Sequence, residues 1–90
     1  MTWKIEANKD SNNFLNRLDD NTKRNLFDKI RNVKLWLENK ESLNVDLKKL
    51  KGNYDGYFRI RSGKLRIIFK IDKQNYLIKI HDINFRGNIY

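Results

Sequence analysis

Between residues 57 and 83, apolar and polar side chains alternate through three successive runs, each separated from the next by a turn signal. Alternation with a period of two places successive residues on opposite faces of a strand. Such a chain is therefore committed to a sheet with one face buried and the other turned outward. In the first run Phe58 and Ile60 take the core parity, and Tyr57, Arg59 and Arg61 take the other. Ser62-Gly63 reads as a two-residue hairpin turn. From Lys64 to Ile71 the odd positions Leu65, Ile67, Phe69 and Ile71 are apolar, and Arg66 and Lys70 share the opposite side with Ile68. A second turn at Asp72-Lys73-Gln74-Asn75 leads into Tyr76 to Ile83, where Ile78 and Ile80 alternate with Leu77, Lys79 and His81.

The first half has a different period. Trp3 and Ile5 alternate with Lys4 and Glu6, predicting a short half-buried strand. Asp10 and Ser11 are positioned to cap a short helix that buries Phe14, Leu15 and Leu18, and Asp19-Asp20-Asn21 breaks it. From Asn21 or Thr22 a longer helix follows, with Leu26, Phe27, Ile30, Val33, Trp36 and Leu37 along one stripe. Residues 40–56 read as a polar connection from which Leu43, Val45, Leu47 and Leu50 can dock, ending in a turn over residues 51–56. The expected fold is α+β: an N-terminal strand, a helical hairpin, then a three-stranded antiparallel meander. The helices cover one face of a mostly antiparallel sheet.

With 90 residues the chain suits one domain, residues 1–90, with one core. It has no cysteine, which excludes disulfides, thiolate metal sites and a thiol nucleophile and fits a cytoplasmic protein. No apolar leader opens it, and no run approaches the roughly 18 apolar residues of a membrane span. After residue 47 the only acidic residues are Asp55, Asp72 and Asp82, too scattered for a two-metal site. Phosphate-binding glycine loops, zinc-ligand clusters and catalytic serine motifs are missing, so neither a cofactor nor a metal is expected.

Charge is concentrated on the sheet-forming half. Residues 48–90 carry eleven Lys/Arg against three Asp/Glu, a net +8, whereas residues 1–47 carry nine against eight, a net +1. Three of the seven arginines, Arg59, Arg61 and Arg66, share the outward face of the predicted hairpin. Surface lysines commonly do no more than solvate a face. Three arginines on one rigid face repel one another unless an anion compensates, which favours a polyanionic partner.

The segments carrying these arginines resemble a known family. Leu50-Lys51-Gly52, the run from Gly56 through Phe69, and the ending Ile83-Asn84-Phe85-Arg86-Gly87-Asn88-Ile89-Tyr90 resemble the RelE/ParE superfamily of type II toxins. The family pattern is Leu-x-Gly, an arginine-rich hairpin and a terminal Arg-x-x-x-Tyr, and the ending here is closer to the RelE branch. The resemblance implies a ribosome-dependent messenger-RNA endonuclease that inhibits translation and is neutralised by a small cognate antitoxin. On that resemblance Arg59, Arg66, Arg86 and Tyr90 are the catalytic candidates. Arg61 is an RNA-binding candidate, and Lys48, Lys49 and Lys51 stand in for lysines that several relatives carry at the start of the arginine strand, where this chain has Phe58.

The chemistry agrees in part. Metal-free RNA cleavage withdraws a proton from the 2′-hydroxyl, stabilises charge on the phosphate and protonates the leaving 5′-oxygen. Arginine suits the second task, because its planar fork matches two phosphate oxygens. Tyrosine at position 90 can stack on a base, orient the hydroxyl or donate a proton. As a residue type histidine exchanges protons near neutrality, but a lone strand histidine such as His81 is more often structural than catalytic. Two alternatives remain open: a ParE-like inhibitor of DNA gyrase, and a degenerate toxin that retains antitoxin binding.

Overall fold

The computed structural model describes residues 2–85. Strand β1 (Lys4–Ala7) leads into helices α1 (Lys9–Asn16) and α2 (Asp20–Leu37). A two-residue strand β2 (Lys48–Lys49), a 3-10 turn (Gly52–Tyr54) and strands β3 (Phe58–Ser62), β4 (Leu65–Asp72) and β5 (Leu77–Phe85) follow. Among the described residues the strands form one sheet ordered β1-β5-β4-β3-β2, antiparallel except where β1 runs parallel to β5. The expected α+β architecture is met, with β2 as an unforeseen edge strand. Its two lysines carry no apolar alternation by which a sequence reading could find it.

Leu15 from α1 and Leu26, Ile30 and Val33 from α2 are buried together with Ile60, Leu65, Ile67, Phe69, Ile78, Ile80 and Ile83 of the sheet. Trp3 completes this core, and Trp36 packs half-buried at its margin, as both were expected to do. Both helices begin one residue or more before the predicted starts. The α1 cap is Asn8, whose Oδ1 accepts from the Ser11 N–H at 2.9 Å; Ser11 is itself buried, and Asp10 lies in the first turn. Asp19 caps α2 by accepting from the Thr22 N–H at 3.1 Å. The residue expected to break the first helix thus starts the second, a role short acidic side chains fill by satisfying unpaired N–H groups.

Five further expectations are corrected. Phe27 lies off the buried stripe, 43% exposed, and Ile5 has the core parity but sits on an edge strand, 38% exposed. The hairpin turn is Gly63-Lys64, since Ser62 pairs with Leu65. Gly63 at φ +58° supplies the left-handed conformation that primed hairpin turns require. The second turn runs through Tyr76, because Asp72 pairs with Leu77. Tyr76 has φ +56°, costly for a bulky side chain, and its ring packs edge-on against Trp3 at 5.6 Å between centroids. Finally, the β4–β5 register shifts between Ile68, opposite Asp82, and Phe69, opposite Ile80. His81 is the extra residue of a β-bulge. The bulge places Ile83 in the core with Ile78 and Ile80, although simple alternation puts it on the other side.

Glu38, just after α2, ties the N-terminus to the helices by accepting from the Trp3 N–H at 2.8 Å. That bond, reinforced by the Lys34 and Lys40 ammoniums, outweighs the opposing effect of burial and holds its carboxyl below the usual glutamate range. A carboxyl depressed in the folded state stabilises the fold above its unfolded pKa, about 4.3, and that contribution disappears as pH falls through the lower folded value. Urea unfolding of Glu38→Gln should show a shallower loss of stability below that pH than wild type. At neutral pH, Ile30→Ala should cost about 2–5 kcal/mol. Phe27→Ala should stay within about 0.5 kcal/mol.

Candidate nucleic-acid interface

Pairing in the antiparallel ladders decides which side chains share the face away from the helices. Arg59 stands opposite Ile68, Arg61 opposite Arg66, and Arg66 opposite Asn84. The three hairpin arginines therefore share one face, as alternation predicted, while their neighbours Ile60 and Ile67 form a pair on the core side. The arginines differ in accessibility. Arg61 is exposed and Arg66 half-buried, but Arg59 is buried, with only 5% of its surface accessible.

β2 explains that burial. Lys48 pairs with Arg59 and Lys49 with Phe58, so β2 extends the sheet past β3 and brings the preceding Asp46 to the arginines. One carboxylate oxygen of Asp46 lies 3.5 Å from Nη1 of Arg59 and 3.9 Å from Nη1 of Arg61. Asp46 is largely exposed, at 64%, whereas the Arg59 side chain is 6% exposed, so a buried guanidinium relies on a solvated partner. Sequence reasoning missed Asp46. It lies outside every strand run, and only the placement of β2 reveals it.

The other candidates fall differently. Lys48 shares the arginine face with Arg59, whereas the pairing of Lys49 with Phe58 places Lys49 on the helix side. Lys51 is exposed just before the 3-10 turn. Arg86 and Tyr90 lie outside the described residues. His81 is drawn by its bulge to a place beside Tyr57, with ring centroids 4.9 Å apart, and Lys70 Nζ stands 5.1 Å from the Tyr57 ring centroid. Among the described residues no group of three or more His, Asp or Glu side chains could hold a metal. No helix there is long and apolar enough to cross a membrane.

A five-stranded sheet with two helices on one face is a fold shared with solved proteins. The chain resembles the archaeal RelE–RelB complex from Pyrococcus horikoshii at 27% identity, covering 98% of this chain and 99% of that one, with TM-score 0.74. The RelB–RelE complex from Methanococcus jannaschii matches at 25% identity, 94% of each chain and TM-score 0.64. The YoeB–YefM complex from Staphylococcus aureus shares the fold at 20% identity, 96% of this chain and 99% of that one, with TM-score 0.67. No family model and no curated protein matches the chain. These likenesses support the resemblance to RelE-like type II toxins that the hairpin and tail residues suggested. The chain is RelE-like along nearly its whole length.

The Asp46 contact yields a direct test. Asp46→Asn should release Arg61 toward solvent anions, raise the salt needed to elute the protein from heparin, and lower stability by about 1 kcal/mol through loss of the Arg59 partner. Asp28→Asn removes the same charge from α2 and should shift elution less. Equal shifts in the two variants would show that only net charge matters.

Proposed function

We propose that the protein is the toxin of a type II toxin-antitoxin pair and acts as a ribosome-dependent, metal-independent messenger-RNA endonuclease that inhibits translation in the cytoplasm. The observation that carries this reading is the rigid row of Arg61, Arg66 and Arg59 on the sheet face opposite the helices. Likeness to chains of RelE–RelB complexes supports it. In this reading Arg61 and Arg66 grip the RNA backbone, and Arg66 with Arg86 stabilises charge that builds on the scissile phosphate. Tyr90 stacks on or orients the adjoining nucleotide. Lys48 and Lys51 extend the cationic track, and Lys49 contributes only long-range charge because it lies on the opposite face. Arg59, buried and paired with Asp46, positions Arg61 and the strand around it until the RNA phosphate displaces the carboxylate.

The partner is a cognate antitoxin with an acidic segment able to cover the arginine face. The chain's formal net charge of +9 favours association with that segment and with RNA alike. Neither cofactor nor membrane enters this mechanism.

The test is to express the protein without antitoxin in a translating extract and to map messenger-RNA 5′ ends with and without ribosomes. New ends are expected only when ribosomes and wild-type protein are both present. Arg66→Ala with Arg86→Ala should reduce them at least a hundredfold, on the order of the loss when one transition-state donor is removed. Intact messenger RNA accompanied by stalled gyrase would replace this reading with gyrase inhibition. Cleavage by the folded double variant would refute the site assignment.

A further inference from the structure

At the end of the sheet face beyond Arg59 lies a second group of side chains that phosphate binding does not use. Tyr54, Tyr57 and His81 form a triangle of rings with centroid separations of 5.9 Å (Tyr54 to Tyr57), 4.9 Å (Tyr57 to His81) and 6.3 Å (Tyr54 to His81), all edge-on. Tyr57 is the half-buried buttress, with Lys70 over its ring. Tyr54, 37% exposed, and the exposed His81 turn apolar ring surface toward solvent, and neither belongs to the core cluster.

Two backbone devices hold them there. The 3-10 turn Gly52–Tyr54 is closed by the Asp55 N–H donating to the Gly52 carbonyl at 3.0 Å, and in the turn that follows the Tyr57 N–H donates to the Tyr54 carbonyl at 3.0 Å, which fixes one tyrosine against the other. The β5 bulge supplies His81 as a residue outside the regular ladder, so its ring reaches Tyr57 without displacing Ile80 or Ile83 from the core.

We propose that Tyr54 and His81, braced by Tyr57 and Lys70, form a stacking site for one unpaired base of single-stranded RNA. This deepens the reading above by assigning a nucleotide subsite next to the arginine row. Proteins that hold single strands combine a cationic track with aromatic rings, because every base has a π-face and every linkage a charge. Both occur here on one face: Tyr57 precedes Arg59 by two residues, roughly 7 Å of strand rise. Lys70, over the Tyr57 ring, pairs across the ladder with Lys79, whose ammonium lies 3.6 Å from an Asp72 oxygen. Arg61 lies four residues from Tyr57, roughly 13 Å of strand rise, so a short oligonucleotide held by Arg61 and Arg66 reaches the rings with a base about two nucleotides along. Stacking needs only the ring faces, so it requires no proton transfer from His81.

The test uses a six-nucleotide unstructured RNA, 2′-O-methylated throughout so that it resists cleavage, with the fluorescent base 2-aminopurine placed at each position in turn. Wild-type protein should quench one position, or two adjacent ones. Tyr54→Ala with His81→Ala should abolish the quench and weaken affinity roughly tenfold or more, the range for loss of one stacked base. Tyr54→Phe with His81→Phe should retain both, which separates stacking from acid–base chemistry and controls for folding. Arg61→Ala with Arg66→Ala should weaken affinity without moving the quenched position. Quench at one position together with absence of messenger-RNA cleavage would sustain the stacking site and remove the nuclease reading. A quench that persists in the folded alanine variant, or no quenched position in wild type, would overturn the proposal.

Discussion

Burial of the α2 stripe, Leu26, Ile30 and Val33, against Ile60, Ile67, Phe69, Ile78 and Ile80 is the contact on which the remaining structure depends. Because a strand's side chains alternate faces, this seam fixes more than the core. It also determines that Arg59, Arg61 and Arg66 emerge on the far side. A slip of one residue in β3 or β4 would bury guanidiniums and expose isoleucines, a penalty far larger than the ladder bonds could offset. The cationic face is therefore a consequence of hydrophobic register, and it needs no favourable interaction among the arginines themselves.

Electrostatics then differentiates the row. Asp46 reaches two arginines through a single oxygen, leaving Arg59 enclosed and Arg61 outward. An enclosed guanidinium is costly without a partner, and its partner here is in contact with water. Because the two guanidiniums share one carboxylate oxygen at 3.5 and 3.9 Å, an anion with more oxygens would offer them more acceptors than Asp46 does.

Much of the fold was legible because period-two alternation and helical stripes are direct records of burial, as the paired strands Phe58 to Ser62 and Leu65 to Asp72 show. The failures share a cause. Asn8 and Asp19 were misassigned because several adjacent Asp, Asn and Ser residues satisfy the same capping requirement. β2 escaped notice because a two-residue edge strand has no period, and with it went Asp46. The aromatic group escaped because a bulge resets alternation, and parity counted through His81 puts Ile83 on the wrong side. Of the site, the arginine face was read correctly from the hairpin. The unequal accessibility of its members was not, since burial of Arg59 depends on a chain segment distant from its own strand.

The parallel pairing of β1 with β5 has a kinetic consequence. β1 is among the first segments of this sequence to be synthesised, yet its ladder partner Leu77–Phe85 is among the last, so Lys4 cannot meet Leu77 until the intervening chain exists. Contacts so distant in sequence form late, because the entropy of closing the loop is lost before the contact returns any energy. The β3–β4 hairpin, by contrast, closes locally around Gly63-Lys64. The arginines can thus be aligned on the β3–β4 hairpin before β1 and β5 join at the far edge of the sheet.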